Sequence, residues 1–262
     1  MSRAKRGGEG KGEGGGGGFW EQVSTLLIAI AIALAVRTFV IEPFRIPSGS
    51  MLPTLLIGDH LFVNKFVYGI RIPFTEVRLP ALREPERGDV VVFTVAKDAG
   101  ITVPADQRPG LATEEFVKRI VALPGDRVVV RGDEVRVNGE RVATRPLGEV
   151  FADERGHELE LREVRQGERS YRILDDPVRR VPDPPPLTVP PGRYFMLGDN
   201  RDHSQDSRVW GTVRLAELKG PAWRLYWSWD FNGSWAALLN PLTWLDLLVG
   251  KTRWDRIGDR VH

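Results

Sequence analysis

The feature that most constrains this chain is a long apolar segment near its N-terminus, Phe19 to Val40, which Pro43 follows. The uncharged run 23–36 would span only about 21 Å as a helix at roughly 1.5 Å per residue, whereas the hydrocarbon core of a bilayer is about 30 Å thick. The longer segment reaches that length, with Trp20 at one interface and Arg37 extending towards the other. The pattern predicts a transmembrane helix that ends before the proline.

Two other structures for this segment remain open. A cleavable signal peptide would also combine basic residues, a short apolar run and a small-x-small site, which residues 33–35, Ala-Leu-Ala, supply. However, the apolar run continues beyond that site. A buried core helix is the second alternative, but the segment has no polar stripe. We therefore predict a membrane anchor over residues 19–42.

The residues before the helix predict its orientation. Residues 1–18 are polar and rich in glycine, so we interpret them as a disordered tail. This tail contains four Lys and Arg residues, and the cytoplasmic flanks of membrane helices are enriched in those residues. We predict that the tail is cytoplasmic and that residues 43–262 are extracytoplasmic.

Beyond the predicted anchor, short valine-rich runs alternate with clusters of Gly, Pro and Asp, which is typical of antiparallel strands. Between two such runs, Asn138-Gly139 predicts a two-residue hairpin turn. A polar stretch that ends in a proline-rich run, about residues 131–192, is interpreted as an inserted subdomain. The predicted fold class is mainly β: an N-terminal transmembrane helix, then an antiparallel β-sheet domain with an inserted β-rich subdomain. The candidate strands are residues 59–68, 89–95, 115–123, 126–132, 134–142 and 193–197.

Charge and composition exclude several classes of function. The 37 basic and 35 acidic residues nearly balance, so no excess of positive charge favours nucleic acid. Without cysteine, the chain has no disulfide, thiolate zinc site or cysteine nucleophile. Gly250-Lys251-Thr252 lacks the first glycine and the leading strand of a phosphate-binding loop, and the run after Asp202 lacks the glycine and glutamate of a calcium loop. We expect neither a cofactor nor a metal.

The C-terminal part contains most of the eight tryptophans. A second membrane span is not predicted there, because Asn240, Pro241 and Asp246 interrupt the apolar residues. We expect most of these tryptophans to fill the core and a few to lie at the bilayer surface.

A turn with two serines, Ser48-Gly49-Ser50, directly follows the predicted anchor. Serine and glycine are common turn residues, and a serine is a nucleophile only if a base activates its hydroxyl. Histidine is one possible base, but His60 and His203 are better explained as solvated strand or loop residues. Lysine is another, provided that burial lowers its pKa well below its usual value of about 10.4.

Lys118 lies in one of the predicted strands. Strand alternation puts it with Phe116 and Ile120 on one face, and Arg119 on the other. The strand is equally compatible with an inward Lys118 or an inward Arg119, the other residue then being solvated. A neutral lysine within hydrogen-bond reach of a serine hydroxyl would form an activated nucleophile.

These segments together resemble bacterial type I signal peptidases, also called leader peptidases, which are membrane-bound serine–lysine proteases. The resemblance covers nearly the whole chain from Phe19 and rests on blocks that occur in the family's order. The blocks are the anchor, "PSGSMLPTL" with "GDHLFVNKFVYG", "RGDVVVF", "VKRIVALPGD" and "GDNRDHSQDSRVWG".

The resemblance implies roles for the matching positions. Ser50 corresponds to the nucleophile and Lys118 to the general base, and the Ser48 hydroxyl forms the oxyanion hole together with the Ser50 N–H. Ser204 corresponds to a hydroxyl that orients the lysine ammonium. His203 stands where many members have asparagine and receives no role. The other implied residues are a supporting polar network, Asp199, Asp206 and Arg208, and an apolar substrate pocket, Phe44, Ile46, Met51 and Val117.

The implied function is that of a serine endopeptidase that removes N-terminal signal peptides from exported preproteins. The implied partners are these preproteins and the lipid bilayer of the bacterial cytoplasmic membrane, without nucleic acid, and the implied state is a monomer. Three alternatives remain: a self-cleaving repressor, which would need a DNA-binding domain in place of the apolar helix; a maturation protease for a dedicated set of proteins; and an anchored β module in which the serines and the lysine are structural.

Overall fold

The computed structural model describes residues 17–69, 79–98, 101–104, 112–179, 181, 183–230 and 247–262. The chain divides into two compact units, Met1–Thr38 and Phe39–His262. In the described residues, the first unit contains one helix and the second contains all the strands.

The helix of the first unit, α1, extends over Gly17–Phe39 and contains 23 residues. At about 1.5 Å per residue it is roughly 35 Å long, which is enough to cross a hydrocarbon core of about 30 Å. Its apolar side chains are exposed, among them Leu26, Ile28 and Ile32. A core helix would bury one face against protein, so this exposure argues against the core-helix alternative, and the predicted N-terminal apolar helix is confirmed.

The second unit contains strands and a few short helical turns. The described strands are β1 Ile41–Arg45, β2 Asp59–Asn64, β3 Val90–Asp98, β4 Ile101–Pro104, β5 Thr113–Ala122, β6 Arg127–Arg131, β7 Glu134–Val137, β8 Glu140–Arg141, β9 Ala143–Ala152, β10 Glu158–Gln166, β11 Arg169–Asp175, β12 Leu187–Thr188, β13 Arg193–Leu197, β14 Val213–Arg214 and β15 Leu218–Ser228. The helical segments are α2, Ser207–Trp210, a π-helical turn at Leu247–Lys251, and 3₁₀ turns at Gly49–Met51, Arg201–His203, Leu215–Glu217 and Trp254–Arg256.

The largest sheet has eight antiparallel strands in the order β1-β2-β15-β3-β5-β13-β14, with β4 paired to β3. The uninterrupted valine run of β3 reflects burial on both faces, because Val90 and Val92 belong to one core cluster and Val91 and Phe93 to another. The neighbouring strand β5 is also buried on both faces, because Val117 belongs to the first cluster and Ile120 to the second. The mainly β fold class predicted from the sequence is confirmed.

Two smaller sheets, β11-β10-β9 and β12-β6-β7-β8, lie between β5 and β13 in the chain. The second of these sheets includes β6, which begins at Arg127, before the start at about residue 131 that was predicted for the inserted subdomain. The Asn138-Gly139 turn joins β7 to β8 as predicted, with φ of 54° and 86° at its two residues, the positive values that a type I′ turn requires. Strands β9 to β11 are not among the strands predicted from the sequence, because they contain many charged residues; β10, for example, has the sequence ELELREVRQ.

The prediction that most of the C-terminal tryptophans fill the core is wrong for those that the structure describes. Trp223 and Trp254 are 44% and 56% exposed, and Trp227 and Trp229 are half-buried. The ring of Trp227 packs edge-on against Trp254, with centroids 5.6 Å apart, so part of this group forms a surface aromatic cluster. The remaining tryptophans and the predicted breaks of a second span lie in residues 231–246, outside the described residues.

Candidate active site

The serine turn lies between β1 and β2 and is fixed by buried apolar neighbours. Ile46 and Met51 have no exposed surface and flank the turn on its two sides. The N–H groups of Leu52 and Leu55 donate to the carbonyl oxygens of Gly49 and Met51 at 3.2 and 2.9 Å. Ser48 and Ser50 lie between these two buried residues and line a cleft in the surface. Close packing of Ile46 and Met51 therefore holds the two serine hydroxyls in place.

Lys118 reaches this turn from the centre of β5. Its Nζ lies 2.8 Å from Oγ of Ser50 and 3.0 Å from the carbonyl oxygen of Val117, and only 3% of the residue is exposed. Burial lowers the pKa of Lys118 from 10.5 to about 8, although the charges of Asp206 and Asp199 partly oppose this effect. A large share of the amine is thus neutral near pH 8, and a neutral amine at this distance can take the serine proton.

Arg119 is buried as well, so the prediction that only one of the two cations points inward while the other is solvated is wrong. Its Nε and Nη2 donate to the two carboxylate oxygens of Asp199 at 2.8 and 2.6 Å, and its Nη1 donates to the carbonyl oxygen of Gly88 at 2.7 Å. Its guanidinium also lies 4.0 Å from the ring centre of Tyr171 in β11. The sheet of β9 to β11 therefore helps to cover the face of β5 that alternation would have left to solvent.

Ser204 follows the 3₁₀ turn Arg201–His203 and lines the same cleft as Ser50 and Lys118. Its Oγ is buried and has no hydrogen-bond partner among the described residues. The structure thus brings Ser204 to the cleft but does not include the implied hydrogen bond to the lysine. A Cβ at Gly198 would collide with this Oγ and with the carbonyl oxygen of Ser50, so the glycine allows the two serine turns to approach each other.

The three polar residues of the implied network belong to two separate ion pairs. Arg208 donates from Nε and Nη2 to Asp206 at 2.9 and 2.8 Å. Asp206 also accepts the N–H of Gly198 at 3.1 Å, which ties this pair to the turn beside Ser204. Asp199 instead belongs to Arg119. Each pair is almost completely buried, and a buried ion pair is tolerated only where its hydrogen bonds are satisfied.

Sequence patterns assign no role to Asn200, yet it connects the two serine turns. Its backbone N–H donates to the carbonyl oxygen of Ser50 at 3.1 Å, and its side-chain Nδ2 donates to the carbonyl oxygen of Gly49 at 3.0 Å. The available signal is its position inside the block GDNRDHSQDSR, immediately after Asp199. Asn200 therefore positions the serine turn through two hydrogen bonds.

The cleft beside Ser50 has a volume of about 780 Å³. Of the predicted pocket residues, Phe44 and Val117 line it. Ile46 and Met51 lie beneath, in the core cluster that also contains Phe44 and Val117. The predicted apolar set is therefore contiguous, but only half of it reaches the cleft.

The two histidines considered as bases do not contact Ser50. The ring of His60 packs edge-on against Tyr226, with centroids 5.8 Å apart, and Nε2 of His203 lies 2.8 Å from Oδ2 of Asp176. Both histidines are half-buried, so the expectation of solvated residues is wrong. Neither is positioned to act as the base for a serine.

This chain is similar in sequence to several known proteins. A model of the family signal peptidase, peptidase S26, matches residues 19–227. Signal peptidase I of Pseudomonas aeruginosa is 38% identical over 205 residues, 74% of this chain and 67% of that protein. Signal peptidase I of Buchnera aphidicola subsp. Acyrthosiphon pisum is 32% identical over 237 residues, 75% of this chain and 71% of that protein. A crystal structure of a signal peptidase I from Enterococcus faecalis V583 is similar over 53% of this chain and 97% of its own, with 26% sequence identity and a TM-score of 0.29.

The family match extends from the apolar helix to β15 and includes the serine turn, the lysine strand and the Ser204 turn. With relatives at this identity over about three quarters of its length, this chain belongs to the signal peptidase family, peptidase S26.

Proposed function

We propose that this chain is a membrane-bound serine endopeptidase that removes N-terminal signal peptides from exported preproteins, with Ser50 as nucleophile and Lys118 as general base. The family supports signal-peptide cleavage by a serine peptidase. The observation that supports the assignment of residues is the 2.8 Å distance between Ser50 Oγ and the buried Nζ of Lys118. Neither residue needs a cofactor or a metal for this chemistry.

In the proposed mechanism, neutral Lys118 takes the proton of the Ser50 hydroxyl as Oγ attacks the scissile carbonyl carbon. The resulting oxyanion is held by the Ser48 hydroxyl and the Ser50 backbone N–H. One such donor typically contributes about 10²–10³-fold to the rate. The Lys118 ammonium then protonates the leaving amine, and the C–N bond breaks to leave an acyl-enzyme. Finally Lys118 takes a proton from water, which attacks the ester and releases Ser50.

Ser204 fits a role in holding the lysine during these steps. Once Ser50 is acylated, its oxygen no longer carries a proton to donate to the Lys118 amine. The Oγ of Ser204 lines the same cleft and has no partner among the described residues, so it is suited to accept a hydrogen bond from Nζ. The Arg208–Asp206 pair supports this turn through the Gly198 N–H.

The substrate is proposed to bind as an extended strand along the first half of β5. This half pairs with β3 over Thr113–Arg119, whereas β13 pairs with β5 only from Arg119 to Ala122. Strand addition supplies main-chain hydrogen bonds, and pockets for alternate side chains supply specificity. Phe44 and Val117 would form the wall of a pocket for small residues one and three positions before the cut, with Ile46 and Met51 supporting the wall from below.

The proposed topology follows from the apolar helix. Residues 19–42 anchor the chain in the bacterial cytoplasmic membrane, the tail 1–18 lies in the cytoplasm, and residues 43–262 form the extracytoplasmic peptidase domain, with the inserted subdomain at about 131–192. The exposed apolar surface of α1 supports the anchor. We further propose that the chain acts as a monomer, because Ser48, Ser50, Lys118 and Ser204 already share one cleft.

The decisive experiment compares the detergent-solubilised chain with its Ser50→Ala variant on a signal-bearing preprotein, with the new N-terminus read by mass spectrometry. We expect the unaltered chain to cut after a small-x-small site and the variant to be inactive, with a loss on the order of 10⁶-fold, as for other serine nucleophiles. Ser170→Ala, an exposed serine of β11, is the matched control and should cut normally. Cleavage by Ser50→Ala would exclude Ser50 as nucleophile, and folded proteins that never cut would favour the anchored, non-enzymatic module.

A further inference from the structure

Three potential metal ligands from two distant parts of the chain meet at the edge of the active-site cleft. Asp153 and His157 lie in the turn between β9 and β10, and His203 ends the 3₁₀ turn directly before Ser204. One ligand atom from each of the three side chains lies within 4.8 Å of the others, and the two imidazole rings stack with centroids 5.0 Å apart. The sequence alone does not predict this cluster, because residues 158–202 lie between His157 and His203.

The hydrogen-bond partners of His203 show which of its ring nitrogens carries the lone pair. Its Nδ1 lies 3.3 Å from Nη1 of Arg179, and a guanidinium can only donate, so Nδ1 must accept. The proton is therefore on Nε2, which donates to Oδ2 of Asp176 at 2.8 Å. A histidine that donates one nitrogen to a carboxylate and presents the other is the usual arrangement of a metal-ligating histidine.

The ring of His157 faces the third residue of the cluster, Asp153. Its Nδ1 lies 2.8 Å from Oδ2 of Asp153, and without an ion Nδ1 donates its proton to that carboxylate. In the other tautomer the proton lies on Nε2, and Nδ1 and Oδ2 can then both bind one ion in place of the shared proton. Asp153 is itself fixed, because its Oδ1 accepts the N–H groups of Arg155 and His157 at 2.8 and 2.9 Å. The cluster therefore contains two oriented imidazoles and one oriented carboxylate.

We propose that Asp153, His157 and His203 bind one divalent transition-metal ion of the Zn²⁺ class. Imidazole and carboxylate are zinc ligands, and bonds of about 2.0–2.1 Å in a tetrahedral site put donor atoms roughly 3.3 Å apart. The side chain of His157 is 44% exposed, so it is free to close the remaining distance. Arg179 is also exposed, and its guanidinium must move away from His203 Nδ1 before the ion binds there.

The site would connect the inserted subdomain to the catalytic turn. Asp153 and His203 line the cleft together with Ser50 and Ser204. An ion held between the β9–β10 turn and the residue before Ser204 would fix both sides of the cleft at this point. The predicted consequence is a metal-dependent gain in the stability of the folded chain.

The test is titration of the untagged, EDTA-treated, detergent-solubilised chain with Zn²⁺ by calorimetry, and with Co²⁺ by visible absorption, which reports a tetrahedral site. We expect one ion per chain and a rise in Tm on adding Zn²⁺. His157→Ala and His203→Asn should each weaken binding by more than about tenfold and abolish the rise in Tm, because each removes one of three protein ligands. His262→Asn, which removes an exposed histidine outside the cluster, is the matched control and should bind normally.

Arg179→Ala provides a variant with the opposite expected sign. Removing the guanidinium that competes for His203 Nδ1 should tighten Zn²⁺ binding severalfold. The proposal is overturned if the chain binds no Zn²⁺, or if His157→Ala and His203→Asn, each still showing a cooperative unfolding transition, bind as tightly as the unaltered chain. Weaker binding in both histidine variants with tighter binding in Arg179→Ala would establish the site.

Discussion

Two buried cations lie side by side on β5, and their surroundings differ. The lysine side consists of Lys118 and Ser50. There Nζ of Lys118 lies 2.8 Å from the Ser50 hydroxyl and 3.0 Å from the carbonyl oxygen of Val117. Among the described residues, no carboxylate pairs with Nζ. On the arginine side, Arg119 and Asp199, the guanidinium meets a carboxylate at 2.6 Å. Burial without an opposite charge favours the neutral form, whereas a paired charge remains ionised. Strand β5 thus combines an amine suited to proton transfer with a guanidinium that forms a buried ion pair.

Reactivity on the lysine side is therefore obtained at the expense of stability. Lowering the pKa of Lys118 from 10.5 to about 8 costs the folded chain roughly 3 kcal/mol at neutral pH. The arginine side incurs no comparable loss, because both oxygens of Asp199 are hydrogen-bonded to Arg119. Substitutions on the two sides should therefore change different properties.

The largest effect is expected for Lys118→Met, which keeps the length of the side chain and removes the amine. Without a general base, the cleavage rate should fall by about 10⁴-fold. The free energy of unfolding should rise by up to roughly 3 kcal/mol at pH 7, because no buried ammonium remains. Preprotein cleavage and thermal unfolding of the solubilised chain, followed by near-UV circular dichroism, measure the two quantities.

Lys219→Met is the matched control for this substitution. Lys219 is half-buried and pairs with Glu42 at 2.8 Å and with Glu115, so its loss should lower stability slightly and leave the cleavage rate nearly unchanged. If Lys118→Met also lost stability, or still cut at the normal rate, Lys118 would resemble a structural lysine and the contrast between the two sides of β5 would fail.

The second effect concerns the arginine side. Asp199→Ala leaves Arg119 buried without its counter-charge, which should lower the free energy of unfolding by about 3–5 kcal/mol. Chemical denaturation of the solubilised chain measures this loss. Glu163→Ala breaks an exposed pair with Arg145 and serves as control, with an expected loss of at most about 1 kcal/mol. Similar small losses in both variants would mean that the buried pair is not a structural element.

The sequence could predict the N-terminal apolar helix and the mainly antiparallel β fold, but not how β5 is covered. Alternation correctly separates Lys118 from Arg119, because it depends only on strand geometry. It fails to predict that Arg119 is buried, since the covering residues Tyr171 and Asp199 follow it in the chain by 52 (171 − 119) and 80 positions. Such contacts leave no local pattern.

The same distinction between local and distant information explains the other outcomes. The Asn138-Gly139 hairpin was predictable because its positive φ values are a requirement of two adjacent residues. The exposure of Trp223 and Trp254 was not, because a tryptophan is equally compatible with a core and with a surface aromatic cluster. The role of Asn200 depends on a turn about 150 positions earlier in the chain.

The smallest but most specific effect is a shared pH dependence of activity and stability. Because the pKa of Lys118 in the folded chain is about 8, the cleavage rate should reach a plateau above this pH and fall by about tenfold per pH unit well below it, as the base becomes protonated. The folded chain binds fewer protons than the unfolded chain between about pH 8 and 10.5, so the free energy of unfolding should rise with pH across that window. Below pH 8 both states hold the proton, and this contribution is constant.

Cleavage rates and unfolding curves measured on one sample from pH 5 to pH 10.5 test the pH dependence of both activity and stability. The stability rise should disappear in Lys118→Met and persist in Asp199→Ala, because Arg119 stays charged throughout this range. An activity that is flat down to pH 5 with the fold intact would exclude a lysine base. A stability rise that survives in Lys118→Met would assign the titration to another group, and the lysine side would then no longer differ from the arginine side in its protonation.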